Sequence, residues 1–404
     1  MIKGFAGVLF ILFFVSYSCF AVFAAENDTA QPDRYLAGWR TVTITRPNST
    51  TFTARLYYPA TQAGLDTPLD PAGAPFPAIT FGHGFFQAVS TYQSTLEHLA
   101  RHGYLVIATN SESGLFPNHQ NFANDLRFSL TFLEQENTDP ASVLFGRVAI
   151  NKFGASGHSM GGGASILATS QDPRIHALAN LAAAETNPSA KMAMASINVP
   201  FSLISASADT IVPVATNGQD MYNRGRAPKL LPIIQGGWHC GFQDVNGIGC
   251  DNGTIQRSQQ LAETRRLLTT FFDLYLKQDI SVRDQVWGNG LFTPLVTAER
   301  NSGIGLTPQS QDITASVGVN VSFQIEIENM GNVPAAFRIE AAQRRWIVNI
   351  QPATTAVIAP KETATVTLST RRLWKNLPTL NELPITVTKA GDPRTASFAK
   401  VNFR

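Results

Sequence analysis

The sequence has few charged residues and very few cysteines. Asp, Glu, Lys and Arg make up 15% of its 404 residues, where about a quarter is usual, and the net charge at pH 7 is +2. It contains no block of lysines and arginines and no acidic tail. Nucleic acids and anionic membrane surfaces are recognised through such clusters of charge, so we expect neither as a partner.

Long apolar runs are also rare, and the one that occurs lies at the N-terminus. Lys3 gives a short positive region, residues 5–23 are apolar apart from three positions, and Ala24 and Ala25 precede a polar stretch. This order is typical of a secretory signal peptide. It predicts that residues 1–25 are removed and that the mature chain is secreted or periplasmic, with no membrane span. A retained anchor helix is the alternative, because the run is nearly long enough to cross a bilayer.

Only three cysteines are present, and removal of the leader would leave two of them, Cys240 and Cys250. In an oxidising compartment, an even pair so close in sequence is expected to form a disulfide across a small loop. Two free buried thiols are the alternative. No C-x-x-C spacing accompanies these cysteines, so we predict no metal site.

Glycine and serine are concentrated in one motif, Gly157-His158-Ser159-Met160-Gly161. A segment typical of a buried strand precedes it and a small, apolar segment typical of a helix follows it. G-x-S-x-G in this context is the signature of a nucleophile elbow, a turn so tight that its flanking positions need glycine. The motif predicts Ser159 as the nucleophile and the backbone N–H of Met160 as one oxyanion donor. A chance match in a Gly/Ser turn is the alternative.

Predicted strands alternate with helices through most of the first 290 residues. Alternating apolar positions predict a hairpin over residues 39–44 and 51–58. Short apolar runs predict buried strands at residues 77–81, 104–108, 147–156, 177–184, 201–205 and 229–234. Helical spacing predicts helices at residues 92–102, 121–136, 164–169 and 261–276. Together with the elbow motif, this alternation predicts an α/β-hydrolase fold with a mostly parallel sheet for residues 26–290.

The pattern changes near the end of that region. Residues 291–306 are rich in Gly, Asn, Thr and Pro, which predicts a linker. From residue 307 to 404 the apolar period becomes two, as in Val321, Phe323 and Ile325. About 100 residues of short strands predict a smaller all-β sandwich of immunoglobulin-like type without a cysteine pair.

A serine hydroxyl needs a base within hydrogen-bond reach. In α/β-hydrolases the order is serine, acid, histidine, each just past a strand end. Of seven histidines, only His239 follows Ser159 at such a position, so it is the predicted base. Asp209, just past the strand at residues 201–205, is the predicted acid that orients it. Three other aspartates fit less well, because they follow His239 or lie on a predicted helix: Asp244, Asp251 and Asp220.

The second oxyanion donor is expected from the loop after the strand at residues 77–81. That loop reads His83-Gly84-Phe85, and the N–H of Phe85 is the predicted donor, with Phe86 as the alternative. The side chains of Phe85, Phe86, Met160 and Trp238 are expected to line an apolar, partly aromatic substrate cleft. Ordinary packing is the alternative for each of them.

Three stretches carry a resemblance to a known family. They are GHSMGGG at residues 157–163, SADTIVP at 207–213 and LYYP at 56–59. Over residues 35–280 the chain resembles the bacterial cutinase and polyester-hydrolase group and its dienelactone-hydrolase-like, chlorophyllase-like and platelet-activating-factor acetylhydrolase-like relatives. The resemblance implies a lidless cleft and an ester substrate, polymeric or lipidic. Residues 183–187 depart from it, because they lack the substrate-clamping tryptophan expected in cutinases.

These features predict a secreted serine esterase that acts through an acyl-enzyme and needs no cofactor. The same triad serves amidases, thioesterases and acyltransferases, so those activities stay open. A non-catalytic binding protein on a hydrolase fold is a less favoured alternative. The second domain is expected either to bind an insoluble substrate or cell surface, or to act as a spacer.

Overall fold

The computed structural model describes residues 33–314, 318–341, 346–372 and 382–403. The predicted signal peptide, residues 1–25, lies outside these ranges. Among the described residues, no helix combines the length and the apolar character needed to cross a membrane.

A ten-stranded sheet forms the larger part of the structure. Its strands are β1 (Leu36–Thr45), β2 (Thr51–Ala60), β3 (Gly64–Leu65), β4 (Phe76–Gly82), β5 (Leu105–Thr109), β6 (Val148–His158), β7 (Ile175–Leu181), β8 (Phe201–Ala206), β9 (Lys229–Ile234) and β10 (Val296–Asn301). They lie in the order β10-β9-β8-β7-β6-β4-β5-β2-β1-β3. The six strands from β9 to β5 in that order run parallel. The predicted mostly parallel α/β-hydrolase sheet is therefore confirmed.

Helices cover both faces of this sheet. They are α1 (Gln93–Arg101), α2 (His119–Thr138), α3 (Met160–Gln171), α4 (Ala190–Ala193), α5 (Gly218–Arg224), α6 (Arg257–Phe272) and α7 (Arg283–Trp287). A π-helical turn, Asp273–Lys277, continues α6. Successive strand residues alternate between two cores: Leu105 packs with α2 and α3, whereas Val106 packs with α1 and α6. This alternation explains why the parallel strands read as continuous apolar runs.

The turn of the β1–β2 hairpin is tied to α2 by a bidentate ion pair. Nε and Nη2 of Arg46 each lie 2.7 Å from a different carboxylate oxygen of Asp125. The Asp125 side chain is 1% exposed and that of Arg46 is 22% exposed. A buried carboxylate depends on such a partner, because removal of the partner leaves an uncompensated charge.

Residues 291–306, for which we predicted a linker, include two strands. Residues 296–301 form β10, which pairs antiparallel with β9 at the edge of the large sheet. Two residues later, β11 (Ile304–Thr307) begins the next sheet. The segment is thus paired with β9 of the large sheet through β10 and with the next sheet through β11. Its edge position accounts for the polar composition, because an edge strand carries few buried residues.

The C-terminal part consists of two four-stranded sheets. After β11 its strands are β12 (Ser310–Ile313), β13 (Asn320–Asn329), β14 (Phe337–Ala341), β15 (Trp346–Gln351), β16 (Thr363–Arg372), β17 (Glu382–Lys389) and β18 (Asp392–Phe403). The sheets have the orders β11-β13-β16-β15 and β12-β18-β17-β14. One core, with Ile325 and Leu368 from the first sheet and Ile385 and Val401 from the second, joins them. A smaller all-β part is confirmed, and its immunoglobulin-like identity stays a prediction.

This β part packs against residues 275–287, which follow α6 in the part of the chain that forms the ten-stranded sheet. The Tyr275 hydroxyl lies 3.4 Å from Oγ1 of Thr395 in β18 and accepts a 3.0 Å hydrogen bond from the Trp287 indole. Arg283 of α7 donates a hydrogen bond to the Pro393 carbonyl at 3.0 Å. A buried contact at Tyr275 and an exposed hydrogen bond from Arg283 therefore join the two parts.

Replacement of Arg46 by methionine should lower the free energy of unfolding by about 3 kcal/mol, because the buried Asp125 carboxylate loses its partner. The double variant Arg46→Met/Asp125→Leu should recover most of this loss, because an apolar pair needs no charge compensation. Urea unfolding followed by circular dichroism compares the two. A double variant no more stable than Arg46→Met would contradict this account of the ion pair.

Candidate active site

Ser159 occupies the sharp turn between β6 and α3, with φ 56° and ψ −121°. Its N–H donates to the Leu181 carbonyl at 3.0 Å. The flanking glycines are required by contact. A Cβ on Gly157 would lie 2.4 Å from the Gly161 carbonyl oxygen, and one on Gly161 would lie 2.2 Å from the Gly82 carbonyl carbon at the end of β4. The turn therefore has the backbone conformation and the close packing of a nucleophile elbow.

Backbone strain is concentrated at the same edge of the sheet. Of the eight described non-glycine residues with positive φ, four lie just after parallel strands: Phe86, Glu112, Ser159 and Ala182. Such conformations cost about 1–3 kcal/mol each and tend to cluster at functional sites. The carboxyl edge of the sheet is therefore the candidate active site.

Asp209 and His239 form a buried pair at this edge. Nδ1 of His239 lies 2.7 Å from Oδ2 of Asp209, and the two residues are 4% and 6% exposed respectively. Oδ1 of Asp209 accepts the N–H groups of Ile211 and Val212 at 2.9 and 2.6 Å. Because a carboxylate accepts hydrogen bonds, we assign a ring proton of His239 to Nδ1, the donor of this bond.

A second aspartate holds the loops that carry this pair. The carboxylate of Asp251 accepts the backbone N–H groups of Thr210, His239 and Cys240 at 3.2, 3.0 and 3.2 Å. The predicted disulfide between Cys240 and Cys250 is confirmed, and it keeps Asp251 next to these amides. Asp251, a poor fit for the acid by chain order, instead joins the Asp209 loop to the His239 loop.

Gln260 of α6 fixes the residue just before the histidine. Its Oε1 accepts the N–H of Trp238 at 3.0 Å and its Nε2 donates to the Trp238 carbonyl at 2.8 Å. Neither Gln260 nor Asp251 belongs to a motif, because each acts on backbone groups of segments 11 to 41 residues away in sequence. Only the folded structure reveals them.

The two predicted oxyanion donors lie on adjacent backbone segments. Met160 is the first residue of α3, and Phe85 follows the end of β4. The contact between Gly161 and Gly82 brings these segments together. His83 lies between the Gly84 and Ser111 carbonyls, at 2.8 and 2.9 Å from its two ring nitrogens. Burial lowers the pKa of His83.

His158 and Tyr92 form a polar cluster behind the Asp209–His239 pair that the sequence did not predict. The His158 ring centroid lies 4.4 Å from that of His239. Nδ1 of His158 lies 2.8 Å from the Tyr92 hydroxyl. Burial lowers the pKa of His158 well below its usual value. Since His158 immediately precedes Ser159, these contacts place His239 beside the elbow.

The predicted substrate-binding side chains differ in accessibility. Phe85 and Phe86 are 49% and 59% exposed, and their ring centroids lie 6.3 Å apart. Trp238 is only 7% exposed, and the Arg257 guanidinium covers its ring at 5.2 Å. Met160 is buried as well. Among these four residues, the two phenylalanines therefore offer most of the surface to a substrate.

One described group away from this site has ligand atoms close enough to hold a metal ion: Asp33, His98 and His102. Its surroundings oppose a cation, because Nε of Arg101 already lies 3.0 Å from Oδ2 of Asp33. Burial, and then the positive charges of His102, Arg265 and Arg101, lower the pKa of His98 to about 2. His98 also has a protein partner, the Thr269 hydroxyl at 3.0 Å from Nε2.

Just over half of the chain, residues 37–248, matches the family model described as PET hydrolase-like. The chain belongs to the PET hydrolase-like family. The matched region contains Ser159, Asp209 and His239, and it ends before Cys250, Asp251 and the C-terminal sheets.

Individual relatives agree with this family. Cutinase est1 from Thermobifida alba is 31% identical over 146 residues, which are 36% of this chain and 47% of the relative. Cutinase 2 from Thermobifida cellulosilytica and cutinase cut1 from Thermobifida fusca are each 31% identical over 127 residues, 31% of this chain. Those alignments cover 45% and 37% of the two relatives. The chain thus spans at most about half the length of these cutinases.

Acid should destabilise the fold, because buried neutral histidines gain protons only after unfolding. The pKa of His98 falls from 6.5 to about 2 in the folded state. Its contribution to stability is therefore present above pH 6.5 and is lost as the pH falls, at about 1.4 kcal/mol per pH unit. Thermal and urea unfolding between pH 7 and pH 5 should show the decline, and His98→Gln should reduce its slope. An unchanged slope in His98→Gln would contradict the assignment.

Proposed function

We propose that this chain is a secreted serine hydrolase of carboxylic esters, with Ser159, His239 and Asp209 as its catalytic triad. The observation that carries the proposal is the buried 2.7 Å hydrogen bond between His239 Nδ1 and Asp209 Oδ2, beside a serine held at φ 56°. Membership of the PET hydrolase-like family supports the same chemistry. The Cys240–Cys250 disulfide supports an oxidising compartment and hence export.

In the proposed reaction, Oγ of Ser159 attacks the ester carbonyl carbon while Nε2 of His239 takes the serine proton. The N–H groups of Met160 and Phe85 bind the oxyanion that forms. The tetrahedral intermediate then breaks its bond to the alkoxy oxygen, which leaves as an alcohol with the proton from His239. Water activated by His239 hydrolyses the acyl-enzyme and restores the serine. Asp209 stabilises the imidazolium in both halves, and no cofactor or metal takes part.

Substrates with extended apolar surfaces, such as polyesters or lipids, fit the surroundings of the site best. Loops after the parallel strands β4, β5, β8 and β9 carry a set of exposed apolar side chains: Phe85, Phe86, Leu115, Phe116, Ile211, Val245 and Ile248. We call this set the apolar rim. Phe116 is 95% exposed and Ile248 fully exposed, a state that a soluble protein uses where it contacts an apolar partner.

Amidase, thioesterase and acyltransferase chemistry would use the same triad, and the relatives named cutinase favour esters over these. A purely binding role is disfavoured by the conformation of Ser159. Its positive φ costs stability, and such strain serves a nucleophile but not a passive surface. For the C-terminal sheets we propose an accessory role, either in surface binding or as a spacer.

Ser159→Ala should reduce kcat on p-nitrophenyl butyrate by at least about 10⁴-fold, because the nucleophile is lost. Labelling by a fluorophosphonate probe should vanish as well. Ser156→Ala is the matched control: this buried serine of β6 has no hydrogen-bond partner for its hydroxyl among the described residues, so its loss should leave kcat unchanged. Turnover retained in Ser159→Ala would remove the proposal.

The apolar rim is tested with the double variant Phe116→Ser/Ile248→Ser. We expect slower release of products from a polyester film by about fivefold or more, because adsorption loses apolar contact area. The rate on soluble p-nitrophenyl acetate should not change. The matched control is Ile347→Ser/Val357→Ser, which changes one exposed apolar residue of β15 and one of the loop between β15 and β16. If only the control variant slowed film hydrolysis, surface binding would belong to the C-terminal sheets instead.

A further inference from the structure

The hydroxyl of Tyr92 is the point at which three segments of the site meet. It accepts the backbone N–H of Gly84 at 3.0 Å and the side-chain Nε2 of Gln243 at 3.3 Å. It also lies 2.8 Å from Nδ1 of His158. Tyr92 is 1% exposed, so water does not compete for these bonds.

The direction of each bond follows from counting protons. A phenol has one proton and two acceptor lone pairs. The Gly84 N–H and Nε2 of Gln243 are donors, and they occupy the two lone pairs. The single hydroxyl proton must therefore go to Nδ1 of His158, which places the ring proton on Nε2. Burial raises the pKa of Tyr92 to about 12, so the phenol keeps its proton at neutral pH.

Each of the three partners is close in sequence to a group that the proposed reaction uses. Gly84 precedes Phe85, the oxyanion donor, and His158 precedes Ser159, the nucleophile. Gln243 ends the short helix His239–Phe242 that carries the base. The His158 ring, held by the hydroxyl, also packs on the His239 ring at 4.4 Å.

We propose that Tyr92 is a positioning residue whose hydroxyl fixes the Phe85 amide, Ser159 and His239 relative to one another. This inference rests on the proposed serine hydrolase function. Tyr92 touches no reacting atom and acts only through Gly84, His158 and Gln243. The hydroxyl sets the distances between these reacting groups. A misplacement of about 1 Å among such groups can lower the rate about 100-fold.

The sequence contains a matched control for this proposal, Tyr104. Tyr104 is also completely buried, and its hydroxyl donates to Oδ1 of Asp273 at 2.6 Å. Asp273 lies in the π-helical turn after α6 and contacts no residue of the proposed triad in the described hydrogen bonds. Loss of that hydroxyl removes a charge-assisted bond, so Tyr104→Phe should reduce stability at least as much as Tyr92→Phe.

The experiment compares Tyr92→Phe and Tyr104→Phe in the full-length protein. Tyr92→Phe should lower kcat on p-nitrophenyl butyrate by about 10- to 100-fold, with KM changed by less than about twofold, and should slow fluorophosphonate labelling of Ser159 to a similar extent. Tyr104→Phe should retain both rates. Equal losses in the two variants, or a kcat within twofold of the wild type in Tyr92→Phe, would overturn the proposal.

Gln243→Met is a second variant that tests the role of the Tyr92 hydroxyl, and it is informative even if Tyr92→Phe folds poorly. It removes one of the three partners, and we expect it to lower kcat about threefold or more. In a double-mutant cycle, Gln243→Met should have no further effect in the Tyr92→Phe background, because both changes act through one hydroxyl. Additive losses would overturn the proposal. A wild-type protein without esterase turnover and without labelling would reject the proposed function too, whereas an active wild type with unaffected variants rejects this inference alone.

Discussion

The approach of two backbone segments, Gly82 at the end of β4 and Gly161 at the start of α3, is the constraint on which the site depends. No side chain fits between them, because a Cβ on either residue would overlap the backbone of the other. This contact sets the loop that carries Phe85 against the turn that carries Ser159. The two predicted oxyanion donors are therefore brought together by main chain alone, which deforms less than side chains do.

The loops that carry Asp209 and His239 are held by polar side chains rather than by close glycine contacts. Asp251 binds three amides of the loops that carry Asp209 and His239, and Gln260 binds both backbone groups of Trp238. Loops rely on such bonds because they lack the ladders of a sheet. The disulfide beside Asp251 limits how far that carboxylate can move from its amides.

The parts of this structure that sequence could predict are those that repeat or that obey a fixed order. Parallel strands covered on both faces are mostly apolar, and the order Ser159, Asp209, His239 of the proposed triad is the order expected for this topology. The edge strand β10 was not predicted, because one side of it is exposed and its polar residues resemble a loop. Tyr92 and Asp251 were missed as structural links because their partners are backbone amides or side chains of distant segments, which leave no local pattern of residue types. Trp238 was predicted to line the cleft, but the stacked Arg257 that covers it comes from another helix.

The positive φ of Ser159 sets stability against the proposed catalytic role at a single position. Glycine would adopt the same turn at lower energy, because it has no Cβ to crowd the backbone. Screening for heat resistance alone would therefore tend to select against the serine, and the most stable variants of the turn would lack the proposed nucleophile. Selection for higher thermal stability in this protein therefore needs an esterase assay as a second criterion. That assay matters most for variants at residue 159.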